Sequence, residues 1–217
     1  MGFNKIIQAT FGSLNLFKRQ LTKALLLPFI LYVLVDVINN YEQNKIATIL
    51  LSILSIIILT LIAISTHRII ILGENSVPEW GSFKWSKRES LFAFHIAALK
   101  LIILLFPLLF IAPTAVLIFT MCLISWIISR LSLVLPAIAI DKRISFKQSW
   151  DLTSNRQILM CLIILTFPAI LFITVLLLSF IPYNYIESGF IKAIATIFTI
   201  TAISISYMHI NNERYQS

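Results

Sequence analysis

The chain has 217 residues, of which 59% are hydrophobic and only 12% are charged, and its mean hydropathy is +0.95. This composition excludes a soluble globular protein, whose charged share is about twice as large. The formal charge of +8 comes from 17 Lys and Arg against 9 Asp and Glu. Because these basic residues stand at the ends of apolar segments, they indicate membrane topology and anionic-lipid contact, and we expect no binding of nucleic acid.

Six segments are long and apolar enough to cross the hydrocarbon layer, which takes about 20 residues of helix. The shorter breaks between them are polar or contain proline, and two longer connections, 73–89 and 141–157, are basic. The sequence therefore predicts an all-α fold in which residues 1–217 form a single transmembrane domain. The predicted spans are 21–39, 46–72, 90–111, 113–140, 158–181 and 188–209.

Two further segments are amphipathic, so we expect them to lie on the cytoplasmic membrane surface as interfacial helices. Residues 3–19 gather their aromatic and aliphatic side chains on one helical stripe and turn polar and basic side chains away from it. The second, shorter helix is predicted at 145–156. Ser145 and Gln148 there have the spacing of a capping box, and Trp150 contributes to the apolar side.

The distribution of charge along the chain predicts the orientation. If both termini are cytoplasmic, 13 Lys and Arg residues lie on that side and only Lys45 and Lys192 lie on the other, with Lys100 and Arg130 set aside as residues inside the membrane. Cytoplasmic loops of membrane proteins carry such an excess of basic residues. The sequence therefore predicts a multi-pass protein with cytoplasmic N- and C-termini.

A threefold internal repeat is a further hypothesis. Arg19, Arg88 and Arg156 are spaced by 69 and 68 residues, and each precedes a span that contains a proline. This spacing predicts three hairpins of about 70 residues each. Chance similarity among Leu- and Ile-rich hairpins is the alternative explanation.

Charged side chains inside a membrane are costly, so the buried ones are the first functional candidates. The candidates for a polar interior or an anion contact are Arg130, Lys100, Arg68 and His67. For Arg130 the alternatives are an anion or headgroup contact, a pair with a carboxylate, or a side chain that extends towards the cytoplasm. For Lys100, an ion pair or a side chain that extends towards the membrane surface is favoured over a role in transport.

Small and hydroxyl residues also form a stripe on each returning span. Such stripes allow close helix packing and cross-helix hydrogen bonds in lipid, and the same stripes could instead line a polar conduit. The members are Thr48, Ser52, Ser55, Ala63 and Thr66 in the second span, Cys122, Ser125, Ser129 and Ser132 in the fourth, and Ala195, Thr199, Ala202, Ser206 and His209 in the sixth.

The sequence offers little that favours an enzyme. An active site needs a nucleophile with a base, paired carboxylates in a cleft, or a metal, and neither the carboxylates nor the three histidines have such spacing. We therefore expect no catalytic residues, no cofactor and no metal site.

The stretch RLSLVLPAIAIDKRISFKQSWDLTSNRQ, residues 130–157, resembles a known bacterial pattern. It is similar to the six-span membrane domain attached to some glycerophosphodiester phosphodiesterases, and to the uncharacterised inner-membrane proteins related to that domain. The positions that carry the resemblance are Arg130, Pro136, Ser149 and Trp150. The chain has no room for the soluble phosphodiesterase domain, so the resemblance implies a stand-alone protein of the bacterial inner membrane without that activity.

We therefore expect a non-enzymatic membrane protein that binds or organises lipid, or binds another membrane protein. The lipid is expected to be anionic because the cytoplasmic helices are basic. The alternative is a small-molecule or ion transporter or channel that uses the polar stripes and Arg130. The expected headgroup contacts are Lys18, Arg19, Lys147, Arg156 and Trp150.

Overall fold

The computed structural model describes residues 2–104, 114–178 and 185–216, and these residues form helices without any strand. The predicted all-α class is thus confirmed. Two short 3-10 turns, Glu74–Ser76 and Ser154–Arg156, precede α4 and α8. The helices of the described residues are α1 (Phe3–Leu16), α2 (Lys18–Tyr41), α3 (Lys45–Leu72), α4 (Lys87–Leu104), α5 (Thr114–Leu131), α6 (Val134–Ala139), α7 (Phe146–Leu152), α8 (Gln157–Leu178) and α9 (Tyr185–Gln216).

Among the described residues, four helical segments are long and apolar enough to cross a membrane, as expected of an integral membrane protein. They coincide with four of the predicted spans. The other two predicted spans begin in α4 and α8, and their last residues, together with the turn expected at Ala112 and Pro113, lie outside the described residues. The four segments are Lys18–Tyr41, Lys45–Leu72, Cys122–Ala139 and Gly189–Asn212.

A tight turn that hydropathy does not reveal interrupts the predicted span 113–140. α5 ends at Leu131 and α6 begins at Val134. Pro136 has no N–H to donate to the carbonyl oxygen of Ser132, four residues earlier. The N–H of Leu135 donates to that oxygen instead, at 3.1 Å, so the chain tightens before it continues as α6.

Side-chain caps fix several helix starts. The Asn44 side chain accepts hydrogen bonds from the N–H groups of Ile46 and Ala47 at the start of α3. At the start of α7, Ser145 and Gln148 form the predicted capping box.

We call the end of the molecule that holds connections 73–86 and 140–145 the basic end, and the end that holds connection 42–44 the opposite end.

The bundle is organised around α3 and α9. α9 packs against α1, α2, α3, α6 and α8, while α3 also contacts α4 and α6. Consecutive helices α2 and α3, α4 and α5, and α8 and α9 pack against each other, which is the pairing that three hairpins require. The buried apolar core is concentrated where α3 and α9 meet, around Ile62 and Ala202.

The first helix is docked onto the bundle. α1 ends at Leu16, and the chain turns at Phe17, so Lys18 and Arg19 belong to α2 and not to the helix predicted at 3–19. Ile6 and Thr10 of α1 are fully buried. Part of the apolar stripe predicted to face lipid therefore faces other helices.

The connection 73–86 is docked against α2 at a proline. Pro28 lies inside α2 and cannot donate to the carbonyl oxygen of Ala24. Gly81, with φ +82°, lies beside this carbonyl so closely that a Cβ there would be 2.5 Å from the Ala24 oxygen. The contact therefore requires glycine.

Candidate functional site

Arg130 lies at the end of α5 and is only 3% exposed. Its guanidinium carbon lies 4.3 Å from the centre of the Trp150 ring and 5.8 Å from that of Trp126. Its Nη2 donates a hydrogen bond of 2.5 Å to the carbonyl oxygen of Trp150. Aromatic faces attract a cation strongly where water is excluded, so the two tryptophans and one carbonyl surround this charge.

The backbone of Arg130 completes the contact with α7. Its carbonyl oxygen accepts hydrogen bonds from Ser149 Oγ at 2.7 Å and from Thr153 Oγ1 at 3.4 Å. The rings of Trp126 and Trp150 meet edge to face at 5.1 Å. Arg130 thus fastens α7 to α5, and no carboxylate of the described residues pairs with it. Trp150, predicted as a headgroup contact, stacks on this guanidinium.

His67 is a packed core residue. It is 1% exposed, and its Nδ1 lies 2.7 Å from Ser204 Oγ on α9. Because the Ser204 hydroxyl donates to the carbonyl oxygen of Ile200, its oxygen accepts from Nδ1–H of His67. The ring of Phe92 lies 5.9 Å from the imidazole. This candidate therefore couples α3 to α9.

Arg68, the next residue, points to the basic end. Its Nη1 donates to the Asp141 carboxylate at 2.8 Å and to the carbonyl oxygen of Ala139 at 3.0 Å. Its Nε donates to the carbonyl oxygen of Ser76 at 3.2 Å. One side chain thus links α3, the 3-10 turn of connection 73–86, the end of α6 and Asp141 beyond it.

Asp141 is shared between two arginines. Its backbone has φ +63°, an uncommon conformation that aspartate tolerates better than most residues, and Arg88 Nη1 lies 3.3 Å from its Oδ2. Arg88 also forms an ion pair of 2.6 Å with Glu89, which accepts a hydrogen bond from Ser86 Oγ. Burial raises the pKa of Glu89, but the hydrogen bonds from Ser86 and Arg88 outweigh it and hold this pKa below its usual range.

Beside this cluster lies an open cavity of about 420 Å³, which we call the basic pocket. It lies where the start of α4 meets the residues that follow α6. Four basic side chains and one carboxylate line it, so its potential is positive. The lining residues are Ser86, Lys87, Arg88, Leu91, Ile138, Asp141, Lys142 and Arg143.

The remaining candidates lie on the surface or close to it. Lys18, Arg19 and Lys147 are exposed, and Arg156 is half-buried. Lys100 is exposed on α4, so it brings no charge into the interior of the bundle. Of the four residues predicted for a polar interior, Arg130 and His67 are buried and Arg68 is half-buried.

The hydroxyl stripes are buried only in part. Thr66 and Ser206 are buried, and each donates to the backbone carbonyl four residues earlier, at 2.8 and 2.7 Å. Ser52 is exposed. The buried hydroxyls thus satisfy themselves within their own helices, as hydroxyls in apolar helices commonly do.

Ion pairs between residues far apart in the chain were missed by sequence reasoning. Asp141 pairs with Arg68 across 73 residues, and Asp36 pairs with Lys192 at 3.1 Å near the opposite end. Gly189 permits this approach, since a Cβ there would lie 3.1 Å from Asp36 Oδ2. The sequence did not indicate which basic residue pairs with each aspartate, because several Lys and Arg residues lie at comparable positions in the chain.

Within the described part of the chain, no group of three or more His, Cys, Asp or Glu residues is placed to hold a metal ion. A scan against protein-family models found no match, and no curated protein or solved structure matches the chain significantly. The candidate site therefore rests on the geometry of this chain alone.

Proposed function

We propose that this chain is a non-enzymatic, multi-pass protein of the bacterial inner membrane that binds anionic phospholipid headgroups at its basic end. In this proposal all six predicted spans cross the membrane, and both termini are cytoplasmic. The observation that carries it is the basic pocket, an open cavity of about 420 Å³ lined by four basic side chains and one carboxylate.

The charges of the basic pocket suit a phosphate group. Its one carboxylate, Asp141, already contacts Arg68 and Arg88. Lys87, Lys142 and Arg143 are exposed and form no ion pair with another described residue. Anionic lipid surfaces attract such basic groups by about 1 kcal/mol each, so a headgroup phosphate is the ligand that these side chains favour.

The surroundings of the basic pocket suit a membrane interface. Connection 73–86 carries Trp80, Phe83 and Trp85, which are 69%, 49% and 44% exposed. Aromatic rings of this kind concentrate at the headgroup level of membranes. The excess of basic residues on the same side supports its cytoplasmic location.

The wider predictions are part of the same proposal. The packing of α2 with α3, α4 with α5 and α8 with α9 supports three hairpins, and with them the threefold repeat. On the basis of residues 130–157, we also propose that the chain descends from the inner-membrane family that these residues resemble. Exposed apolar side chains such as Leu50 and Phe94 offer contact surface to lipid or to another membrane protein.

The proposal favours binding over transport and catalysis. Arg130, on which the transporter alternative depends, is enclosed by Trp126 and Trp150, and the buried hydroxyls of Thr66 and Ser206 in the polar stripes donate to their own helices. A polar conduit needs groups that are available to a passing solute. The proposed function is therefore lipid binding.

The test uses the full chain in nanodiscs of neutral phosphatidylcholine, titrated calorimetrically with dihexanoyl phosphatidylglycerol. The double variant Lys142→Gln with Arg143→Gln removes two charges from the basic pocket. We expect its affinity to fall by about 2 kcal/mol, a factor of about 30. The control Lys5→Gln with Lys45→Gln removes two exposed charges elsewhere and should bind as the wild type does. Equal wild-type affinity for dihexanoyl phosphatidylcholine would refute the proposal.

A further inference from the structure

An apolar groove with a volume of about 440 Å³ runs along α2 on the side that faces α9 and α1. The α2 residues in its wall recur every three or four positions, so they form one stripe of the helix. The opposing wall is aromatic. Among the lining residues are Lys18, Leu21, Leu25 and Phe29 of α2, and Phe190 and Phe198 of α9.

Lys18 is the one charged side chain in this lining, and it stands at the basic end of the groove. Every other lining residue except Thr22 is apolar. A groove of this character accommodates an amphiphile whose anionic part lies beside Lys18 and whose hydrocarbon part extends along the stripe.

The length of the groove matches one leaflet of a bilayer. Lys18 and Phe29 are 11 residues apart in α2, which corresponds to about 16 Å of helix. The hydrocarbon layer is about 30 Å thick, so the groove covers about half of it. The leaflet in question is the one next to the basic end.

We propose that this groove is a binding site for one acyl chain of an anionic phospholipid, whose phosphate lies beside Lys18. The site is separate from the basic pocket, although its assignment to the cytoplasmic leaflet rests on the orientation given under the proposed function. A helix of a second copy of the chain would fill the same apolar groove, but it would bring no phosphate to Lys18. Charge and length together favour the lipid.

Adjacent residues of α2 provide matched controls. Arg19 carries the same charge as Lys18 but lines a polar cavity on another side, together with Gln20 and Glu79, so it is not among the headgroup contacts proposed for this groove. Leu26 lines the groove and is 48% exposed, whereas Leu27 is 46% exposed and lines none of the described grooves and pockets. Each pair therefore changes the same chemistry at nearly the same depth.

The experiment is native mass spectrometry of the full chain in detergent, with palmitoyl-oleoyl phosphatidylglycerol or the phosphatidylcholine of identical chains added. All variants are made in the Lys142→Gln, Arg143→Gln background, which removes two of the four basic side chains of the basic pocket and so reduces its contribution to lipid binding. We expect Lys18→Gln to weaken phosphatidylglycerol binding about fivefold, the factor for one basic side chain at an anionic headgroup. Arg19→Gln should leave it unchanged, and neither variant should affect phosphatidylcholine.

The second pair tests the hydrocarbon part. Leu26→Trp should lower the occupancy of both lipids because the larger side chain fills the groove, while Leu27→Trp should lower neither. Equal effects of the two variants in either pair would overturn the proposal. So would the finding that the wild-type chain forms a dimer that Leu26→Trp dissociates into monomers. If Leu26→Trp fails to fold, the Lys18 and Arg19 pair decides. If the Lys142→Gln, Arg143→Gln variant without further changes bound lipid as the wild type does, this would count against the basic pocket and not against the groove.

Discussion

The two halves of α3 differ in burial although both are apolar. Residues 58–70, nearer the basic end, are buried except at Leu59 and Arg68, whereas none of residues 46–57 is buried. Ile62 is 2% exposed, while Ile53 in the other half is 50% exposed. The same residue type in one helix is thus surrounded by other helices in one half and exposed in the other.

Neighbouring helices explain this difference. Residues of α4, α6 and α9 pack around Ala63 and Ile64 in the second core cluster. Hydroxyl residues occur in both halves, yet Thr60 and Thr66 are buried and Ser52 is exposed. Hydropathy measures transfer from water to an apolar medium, so it does not distinguish lipid from protein as that medium. The half near the basic end is therefore the part in which packing determines stability.

The test of this comparison with the largest expected effect replaces one isoleucine in each half of α3 by alanine. Ile62→Ala leaves a cavity in the core and should lower the free energy of unfolding by about 2–5 kcal/mol. Ile53→Ala removes the same atoms from an exposed position and should lower it by less than about 0.5 kcal/mol. Reversible unfolding in mixed detergent and SDS micelles, followed by circular dichroism, measures both. Equal losses would show that the two halves are packed alike.

Arg130 tests whether the contacts at the basic end depend on charge or on ring stacking. Arg130→Met retains an unbranched side chain but removes the cation from Trp150 and the hydrogen bond to its carbonyl. The loss of a desolvated cation–π contact should make hydrogen exchange across 146–156 about tenfold faster or more, equivalent to about 1.4 kcal/mol.

Arg130→Lys serves as the control for that prediction. It keeps the charge but loses the planar group that stacks on a ring and spreads its donors. We expect an intermediate exchange rate across 146–156 and an unchanged rate in α2. If Arg130→Met exchanged as slowly as the wild type, Ser149 and Thr153 alone would hold α7.

The fold was predictable where it depends on local sequence. The apolar lengths of α2, α3 and α9 and the capping box at Ser145 required only spacing and residue type. The turn between α5 and α6 was missed because the apolar residues around Pro136 keep the mean hydropathy of the segment high. The docking of α1 on α9 was also missed, because a helix facing lipid and a helix facing apolar side chains share one amphipathic pattern.

The candidate site was predictable in composition but not in pairing. Sequence alone singled out Arg130, Arg68 and His67, since charge inside an apolar segment is rare. Their partners are a tryptophan face, an aspartate 73 residues away and a serine of α9. These partners depend on how helices distant in sequence pack, and a single sequence gives no information on that packing.

The smallest predicted effect concerns the ion pair near the opposite end, where Asp36 of α2 meets Lys192 of α9 at 3.1 Å. The Lys192 side chain is 37% exposed, so solvent and salt screen the pair. We expect a double-mutant cycle of Asp36→Asn and Lys192→Gln to give a coupling energy of about 0.5–1 kcal/mol. Both the single variants and the double variant are measured by the unfolding assay used for Ile62→Ala.

The size of this coupling energy relative to the core cavity decides whether the comparison holds. If packing near the basic end dominates, the cycle should yield well under half of the loss caused by Ile62→Ala, and raising the salt concentration should reduce it further. A coupling energy that equals that loss would mean that α2 and α9 are held together mainly at the opposite end by charge. In that case, the exposure of residues 46–57 of α3 would not indicate a weakly stabilised half of the bundle, because the contact of α2 with α9 would stabilise that half.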